Sequence, residues 1–103
     1  RFDFLILACN QLVNHLDKME YMSKGKMKPR VIIRTSIGAK EPLDGGPQHT
    51  SDYTEAFKKM LTNVKVVSLG EPEDIFPAFD EALNGNDFHV SMLIENGAFY
   101  NDK

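Results

Sequence analysis

Apolar residues recur at three- and four-residue steps along the first part of the chain, which is the spacing of a helix that buries one side. Gly25 and Pro29 follow this stretch, and both residue types are common just after a helix ends. The pattern therefore predicts an amphipathic helix over residues 5–23. Its apolar stripe comprises Leu5, Ala8, Cys9, Leu12, Val13, Leu16 and Met19.

Three short runs rich in β-branched residues predict buried strands. They are RVIIRT at residues 30–35, VKVVSL at residues 64–69 and HVSMLIE at residues 89–95. Strands separated by helix-length segments are typical of a parallel sheet, because parallel neighbours need a long crossover connection.

Two further helices are predicted between these strands, one over YTEAFKKML and one within GEPEDIFPAFDEALNG. Asp52 and Glu55 have the spacing of a capping box for the first helix. Phe76, Phe79 and Leu83 share one face of the second. The alternation of helix and strand predicts an α/β fold in three layers, with a parallel sheet between helices.

We interpret the opening residues, RFDF, as the carboxyl end of a further strand. Phe4 would then follow one strand, and the long loop over residues 36–51, which holds His49, follows another. Ligands of parallel sheets bind outside the carboxyl ends of the strands, so both side chains are expected on the ligand side. The 103 residues are expected to be part of one domain that lacks its N-terminal portion.

Composition narrows the range of partners. The net charge of -3 offers no basic surface for nucleic acid, and no apolar run approaches the roughly 20 residues of a membrane span. Neither nucleic acid nor a membrane is therefore expected. The single cysteine, Cys9, cannot form an internal disulfide, which fits the cytoplasm or the matrix of a mitochondrion. No Cys and His cluster has metal-ligand spacing, so no metal site is expected.

Several short sequence motifs follow one another along the chain: FDF, NQLVN, EYMSKG, VIIRTSIG, GGPQHTSD, VKVVSL and LIENGAFY. Together they resemble the pyrimidine-binding domain of the transketolase-like thiamin diphosphate enzymes. The greatest similarity is to the beta subunit of the decarboxylating first component of 2-oxoacid dehydrogenases, of the pyruvate or branched-chain type. The similarity extends from Phe2 to Tyr100. Each motif alone is only weakly specific for the family.

The resemblance implies a cofactor, two site residues and several partners. His49 matches the family histidine that assists proton transfer, and Phe4 matches the aromatic residue that packs on the aminopyrimidine ring. Thiamin diphosphate is the implied cofactor, with its magnesium held by an alpha subunit or a diphosphate-binding domain. The implied activity is decarboxylation of a 2-oxo acid and transfer of the acyl group to a lipoyl-bearing acyltransferase. An oligomer is implied as well.

Alternatives remain open at this point. A transketolase or deoxyxylulose-phosphate synthase would share the fold. A noncatalytic interaction module is the other alternative. The family's histidine motif has lost its glutamine in this sequence, and the family's catalytic glutamate would lie before Arg1. His49 could instead be an ordinary loop residue, and Phe4 a core aromatic. Arg34 could contact an anion or form an ion pair that fixes the long loop.

Overall fold

The computed structural model describes residues 1–41 and 43–99, apart from the side chain of Phe99. Tyr100, where the family resemblance ends, lies outside the described residues. The described elements follow one another as helix, strand, helix, strand, helix, strand. The predicted α/β alternation is therefore confirmed.

The first helical segment, α1, covers residues 2–22. It changes pitch along its length: its successive parts are an α-helical turn at Phe2–Leu5, a 3₁₀ turn at Ile6–Ala8, a π-helix at Asn10–His15, a 3₁₀ turn at Leu16–Lys18 and a last α-helical turn at Met19–Met22. The predicted helix is confirmed, and it starts earlier than expected. Gly25, with a φ of 78°, follows its end and donates its N–H to the carbonyl of Glu20.

The interpretation of RFDF as the end of a strand was wrong, because Phe2 to Leu5 are helical. Phe2 lies three residues before Leu5, so it continues the helical period of the apolar stripe. Its ring is completely buried and contacts the rings of Tyr53 and Phe57, at centroid separations of 5.6 and 5.2 Å. Burial of this ring favours the helical conformation over an extended one.

The three strands form one parallel sheet. They are β1 at Val31–Ile37, β2 at Val64–Leu69 and β3 at Val90–Asn96, in the spatial order β1-β3-β2. The predicted strands and their parallel direction are confirmed, and β1 continues two residues further than its sequence pattern indicated. All three strands therefore have their carboxyl ends at the same edge of the sheet.

Helices cover both faces of the sheet, which gives the three predicted layers. Met92 and Ile94 of β3 face α1 and the second helix, α2, at Thr54–Met60. Leu93 faces the third helix, α3, at Ile75–Asn84. Strand residues alternate between the two faces, so β3 is buried on both sides. No helix in the described part of the chain is long and apolar enough to cross a membrane.

The starts of the two later helices differ from the prediction. Asp52 accepts the N–H of Thr54 at 3.0 Å, but the reciprocal bond expected of a capping box with Glu55 does not form. A reciprocal arrangement occurs instead before α3, where Asp74 accepts the N–H of Glu71. Local side-chain bonds two residues apart compete with capping, and Asp52 makes one of them.

The apolar face predicted for α3 is only partly buried. Phe79 packs against the core, whereas the side chains of Phe76 and Leu83 are exposed. Ala78 and Ala82 make the remaining contacts of α3 with the sheet. Because alanine has a short side chain, it allows the helix to lie close to the strands.

Asp17 joins α1 to the turn that follows α2. Its carboxylate accepts the backbone N–H groups of Thr62 and Asn63, at 3.0 and 2.6 Å, and its own carbonyl accepts the Asn63 side-chain amide. Only 3% of Asp17 is exposed. A buried carboxylate needs such donors, so this contact fixes the first helix against the entrance to β2.

Candidate functional site

The candidate site lies where β1 and β3 end. Gly38 follows β1 and is buried, and Gly97 follows β3. Glycine is required at position 97, because an added Cβ would lie 2.9 Å from the carbonyl oxygen of Ile37. The two chain segments therefore leave the sheet in close contact, and the first turn of α1 contacts β1.

The loop that holds His49 is stabilised by its own hydrogen bonds. Asp44 accepts the N–H of Gly46, and the carbonyl of Gly46 accepts the N–H of His49 and the hydroxyl of Thr50. Ser51 donates its hydroxyl to the carbonyl of Pro47 at 2.8 Å. Gly46 has a φ of 90°, which favours glycine over other residues. These bonds give the histidine a defined position on a surface loop.

The first residues of the chain hold the same loop from the other side. A guanidinium nitrogen of Arg1, Nη1, donates to the backbone carbonyl of His49 at 3.1 Å. The carboxylate oxygen Oδ1 of Asp3 accepts the N–H of Ser51 at 3.4 Å. Both contacts join residues 48 positions apart. The loop is thus fixed on either side of His49 by the start of α1.

The structure brings together the two residues predicted for the site. The ring of Phe4 meets the imidazole of His49 edge to face, with 5.4 Å between the ring centroids and an angle of 68° between the ring planes. Phe4 is 54% exposed, so it is not the core aromatic that was the alternative. The two side chains converge at the carboxyl edge of the parallel sheet, as expected.

The route by which Phe4 reaches the site differs from the prediction. Phe4 comes from the first turn of a helix and not from the end of a strand. His49 lies in the loop before α2, which starts five residues later, at Thr54. The imidazole therefore owes its position to the hydrogen bonds of its loop and to the contact with Phe4.

An open pocket of about 370 Å³ lies between these side chains. Among residues 1–41 and 43–99, no hydrogen bond reaches a ring nitrogen of His49, and His49 forms part of the pocket lining. Sequence reasoning missed four residues of this pocket: Asp3, Pro47, Gln48 and Tyr53. Asp3 and Gln48 are direct sequence neighbours of the predicted residues, and that adjacency was the available signal. The pocket is lined by Asp3, Phe4, Pro47, Gln48, His49 and Tyr53.

Arg34 forms an ion pair, as one of its two interpretations stated. Its guanidinium binds the carboxylate of Glu95 on the neighbouring strand at 3.1 Å and lies 5.8 Å from the ring centre of Phe79. The ion pair joins β1 to β3 on the face of the sheet that α3 covers. Alternate residues of a strand point to opposite faces, which places Arg34 with Phe79 and away from Phe4.

The remaining candidates do not join the site. His15 is exposed on α1, His89 precedes β3 and is half-buried, and Cys9 is half-buried against the core. In the part of the chain that the structure describes, no group of three or more His, Cys, Asp or Glu side chains could hold a metal ion. The pocket is lined by one imidazole, two aromatic rings, one carboxylate, one side-chain amide and one proline.

Sequence comparison shows which known proteins the chain is similar to. No family model matches the chain, and neither does any solved structure. The chain is 28% identical over 100 residues to the pyruvate dehydrogenase E1 component subunit beta of Gracilaria tenuistipitata var. liui. It is 31% identical over 85 residues to the acetoin:2,6-dichlorophenolindophenol oxidoreductase subunit beta of Cupriavidus necator. The chain is related to the 2-oxoacid dehydrogenase beta subunits.

The matches cover 97% and 82% of this chain but 29% and 24% of those beta subunits. The chain thus spans less than a third of the length of the curated relatives that it matches. The resemblance inferred from the sequence motifs is confirmed at the level of the 2-oxoacid dehydrogenase beta family.

Proposed function

We propose that this chain is the pyrimidine-binding part of a thiamin-diphosphate-dependent 2-oxoacid dehydrogenase. Its relation to the beta subunits supports the family, and the contact between Phe4 and His49 is the observation that carries the proposal. The two residues meet at the carboxyl edge of a parallel sheet, where ligands of such sheets bind. The chain would form part of one domain and would work in the cytoplasm or the mitochondrial matrix.

The pocket fits one end of this cofactor. The exposed ring of Phe4 offers a flat apolar face to a flat heterocycle, and Asp3 brings a carboxylate to the same pocket. The described residues contain no group of three or more His, Cys, Asp or Glu side chains that could hold magnesium. As the family resemblance implies, an alpha subunit or a further domain would hold the magnesium and the diphosphate and would complete the site.

Thiamin diphosphate, when bound, acts as an electron sink for the decarboxylation of a 2-oxo acid. Phe4 would orient the pyrimidine ring and exclude water from one of its faces. His49 would hold or deliver a proton at one of its ring nitrogens, since an imidazole exchanges protons near neutral pH. Arg1 and Gly38 would keep the His49 backbone in place. A lipoyl-bearing acyltransferase would receive the acyl group, and an oligomer with the alpha subunit would be the working form.

The proposal can be tested on the complete protein together with its alpha partner. Isothermal titration calorimetry should detect binding of thiamin diphosphate with magnesium. Decarboxylation assays should then show turnover of pyruvate or of branched-chain 2-oxo acids, and no turnover of sugar phosphates. Turnover of sugar phosphates alone would identify a transketolase or a deoxyxylulose-phosphate synthase instead.

A noncatalytic interaction module has one observation in its favour. Thr50, Ser51 and Asp52 replace the family's histidine-loop residues. The hydroxyls of Thr50 and Ser51 bond within the loop, and the carboxylate of Asp52 bonds Thr54 at the start of α2. The titration decides here as well, because a module that has lost the cofactor would show no heat of binding at millimolar thiamin diphosphate.

A further inference from the structure

The carboxylate of Asp3 has one oxygen with a partner and one without. Its Oδ1 accepts the N–H of Ser51 at 3.4 Å. Its Oδ2 is buried, and among the described residues it has no hydrogen-bond partner. A buried acceptor that lacks a donor costs free energy, and such atoms in folded proteins call for an explanation.

The bond that holds the loop does not explain why Oδ2 of Asp3 is buried without a donor. One acceptor is enough for the N–H of Ser51, and asparagine or serine would supply it without burying an unpaired carboxylate oxygen. Asp3 lies in the wall of the pocket that also contains Phe4 and His49. The missing donor is therefore expected on whatever occupies that pocket.

We propose that Oδ2 of Asp3 accepts a hydrogen bond from an amino group on the flat ring that packs against Phe4. The inference rests on the proposed function, in which this ring is the aminopyrimidine of thiamin diphosphate, and it adds Asp3 to the binding residues. Oδ2 is covered in the chain alone, so entry of the ring has to shift one wall of the pocket.

The same carboxylate would connect occupancy of the pocket with the position of the histidine loop. One oxygen would hold the backbone of Ser51, two residues after His49, while the other holds the ligand. Asparagine cannot do both, because its side chain carries a single acceptor oxygen. Its NH₂ group, which is a donor, would face either the N–H of Ser51 or the amino group of the ligand, and both of these are donors as well.

The experiment compares two ligands and three proteins by isothermal titration calorimetry, using the complete protein with its alpha partner. The ligands are thiamin diphosphate and an analogue that carries hydrogen in place of the pyrimidine amino group. The proteins are the wild type, Asp3→Asn and the matched control Asp87→Asn. Asp87 is exposed and does not line the pocket. Thermal unfolding without ligand is measured for each protein.

The wild type and the control should bind the analogue roughly tenfold or more weakly than thiamin diphosphate, which is the scale of one hydrogen bond to a charged group. Asp3→Asn should bind thiamin diphosphate about tenfold more weakly and should no longer distinguish the two ligands, with an unchanged or higher melting temperature.

Equal affinity of the wild type for both ligands would overturn the inference, and this comparison needs no variant to fold. Wild-type affinity of Asp3→Asn for thiamin diphosphate, together with a raised melting temperature, would also overturn it, because the second oxygen would then be only a cost to stability. Failure of the wild type to bind thiamin diphosphate at all would instead overturn the proposed function, and this inference with it.

Discussion

Gly38 and the backbone carbonyl of His49 lie so close together that a methyl group on residue 38 would overlap the carbonyl oxygen. The same methyl group would overlap the guanidinium of Arg1, which donates a hydrogen bond to that carbonyl. Gly38 therefore provides the space in which the histidine loop and the start of α1 meet. The requirement is for a missing side chain and not for an unusual backbone angle.

Gly38→Ala should displace the His49 backbone. The bulk has to be accommodated by a shift of the loop, since Gly38 is buried, and we expect a loss of about 1–3 kcal/mol in the free energy of unfolding. A shift of about 1 Å in the imidazole should also lower kcat/KM roughly 100-fold in the proposed reaction. Gly70→Ala is the matched control, because its added Cβ would lie 4.0 Å from the nearest atom. Chemical denaturation and steady-state assays of both variants measure the two effects, and equal behaviour would contradict the predicted crowding.

His49→Ala in the complete protein should lower kcat/KM by roughly 10²–10⁴-fold, the usual contribution of a general acid–base group. Fold and assembly should be retained, because the side chain of His49 lies on a surface loop. His15→Ala is the control, since His15 is exposed on α1 and lies outside the pocket. Normal acyl transfer by the His49 variant would exclude a catalytic role for this residue.

Phe2 and Phe4 should respond in opposite ways to truncation, although they are two residues apart on the same helical turn. Phe2→Ala removes a completely buried ring and should cost about 3–5 kcal/mol of stability. Phe4→Ala should cost about 1 kcal/mol or less but weaken thiamin diphosphate binding roughly threefold to tenfold, through loss of the ring contact. Denaturation and calorimetry on both variants separate the two effects. A stability loss at Phe4 as large as that at Phe2 would assign Phe4 to the core.

Asp17→Ala should lower the free energy of unfolding by about 2–3 kcal/mol, because it leaves the N–H groups of Thr62 and Asn63 without their acceptor. Asp87→Ala is the control; Asp87 is exposed and its truncation should change stability by less than about 0.5 kcal/mol. Urea denaturation of the two variants measures the difference. Similar midpoints would show that the contact between α1 and the entrance to β2 contributes little.

The sheet could be predicted from the sequence because each strand is a short run of apolar residues between turn signals. The start of α1 could not. RFDF alternates polar and apolar residues as a strand does, and only the burial of Phe2 against Phe57 decides for a helix. The missing capping box has a similar cause, since the carboxylate of Asp52 accepts the N–H and the hydroxyl of Thr54.

The two main residues of the site could be predicted from the sequence, but the contacts that hold them could not. Phe4 and His49 were expected at one edge of the sheet from the family motifs and from the positions of the strand ends. The contacts that hold them join Arg1, Gly38 and His49, and no periodicity connects positions so far apart in sequence. The unpaired oxygen of Asp3 depends on atomic packing, which local sequence patterns do not describe.

The spatial order β1-β3-β2 places the last strand of the described chain in the middle of the sheet. Among the described strands, β1 and β2 each pair with β3 and not with each other, so this sheet can form only after residues 90–96 have left the ribosome. Such long-range pairing slows folding. A translation product that stops before Val90 would carry Phe4 and His49 without the strand that joins β1 to β2.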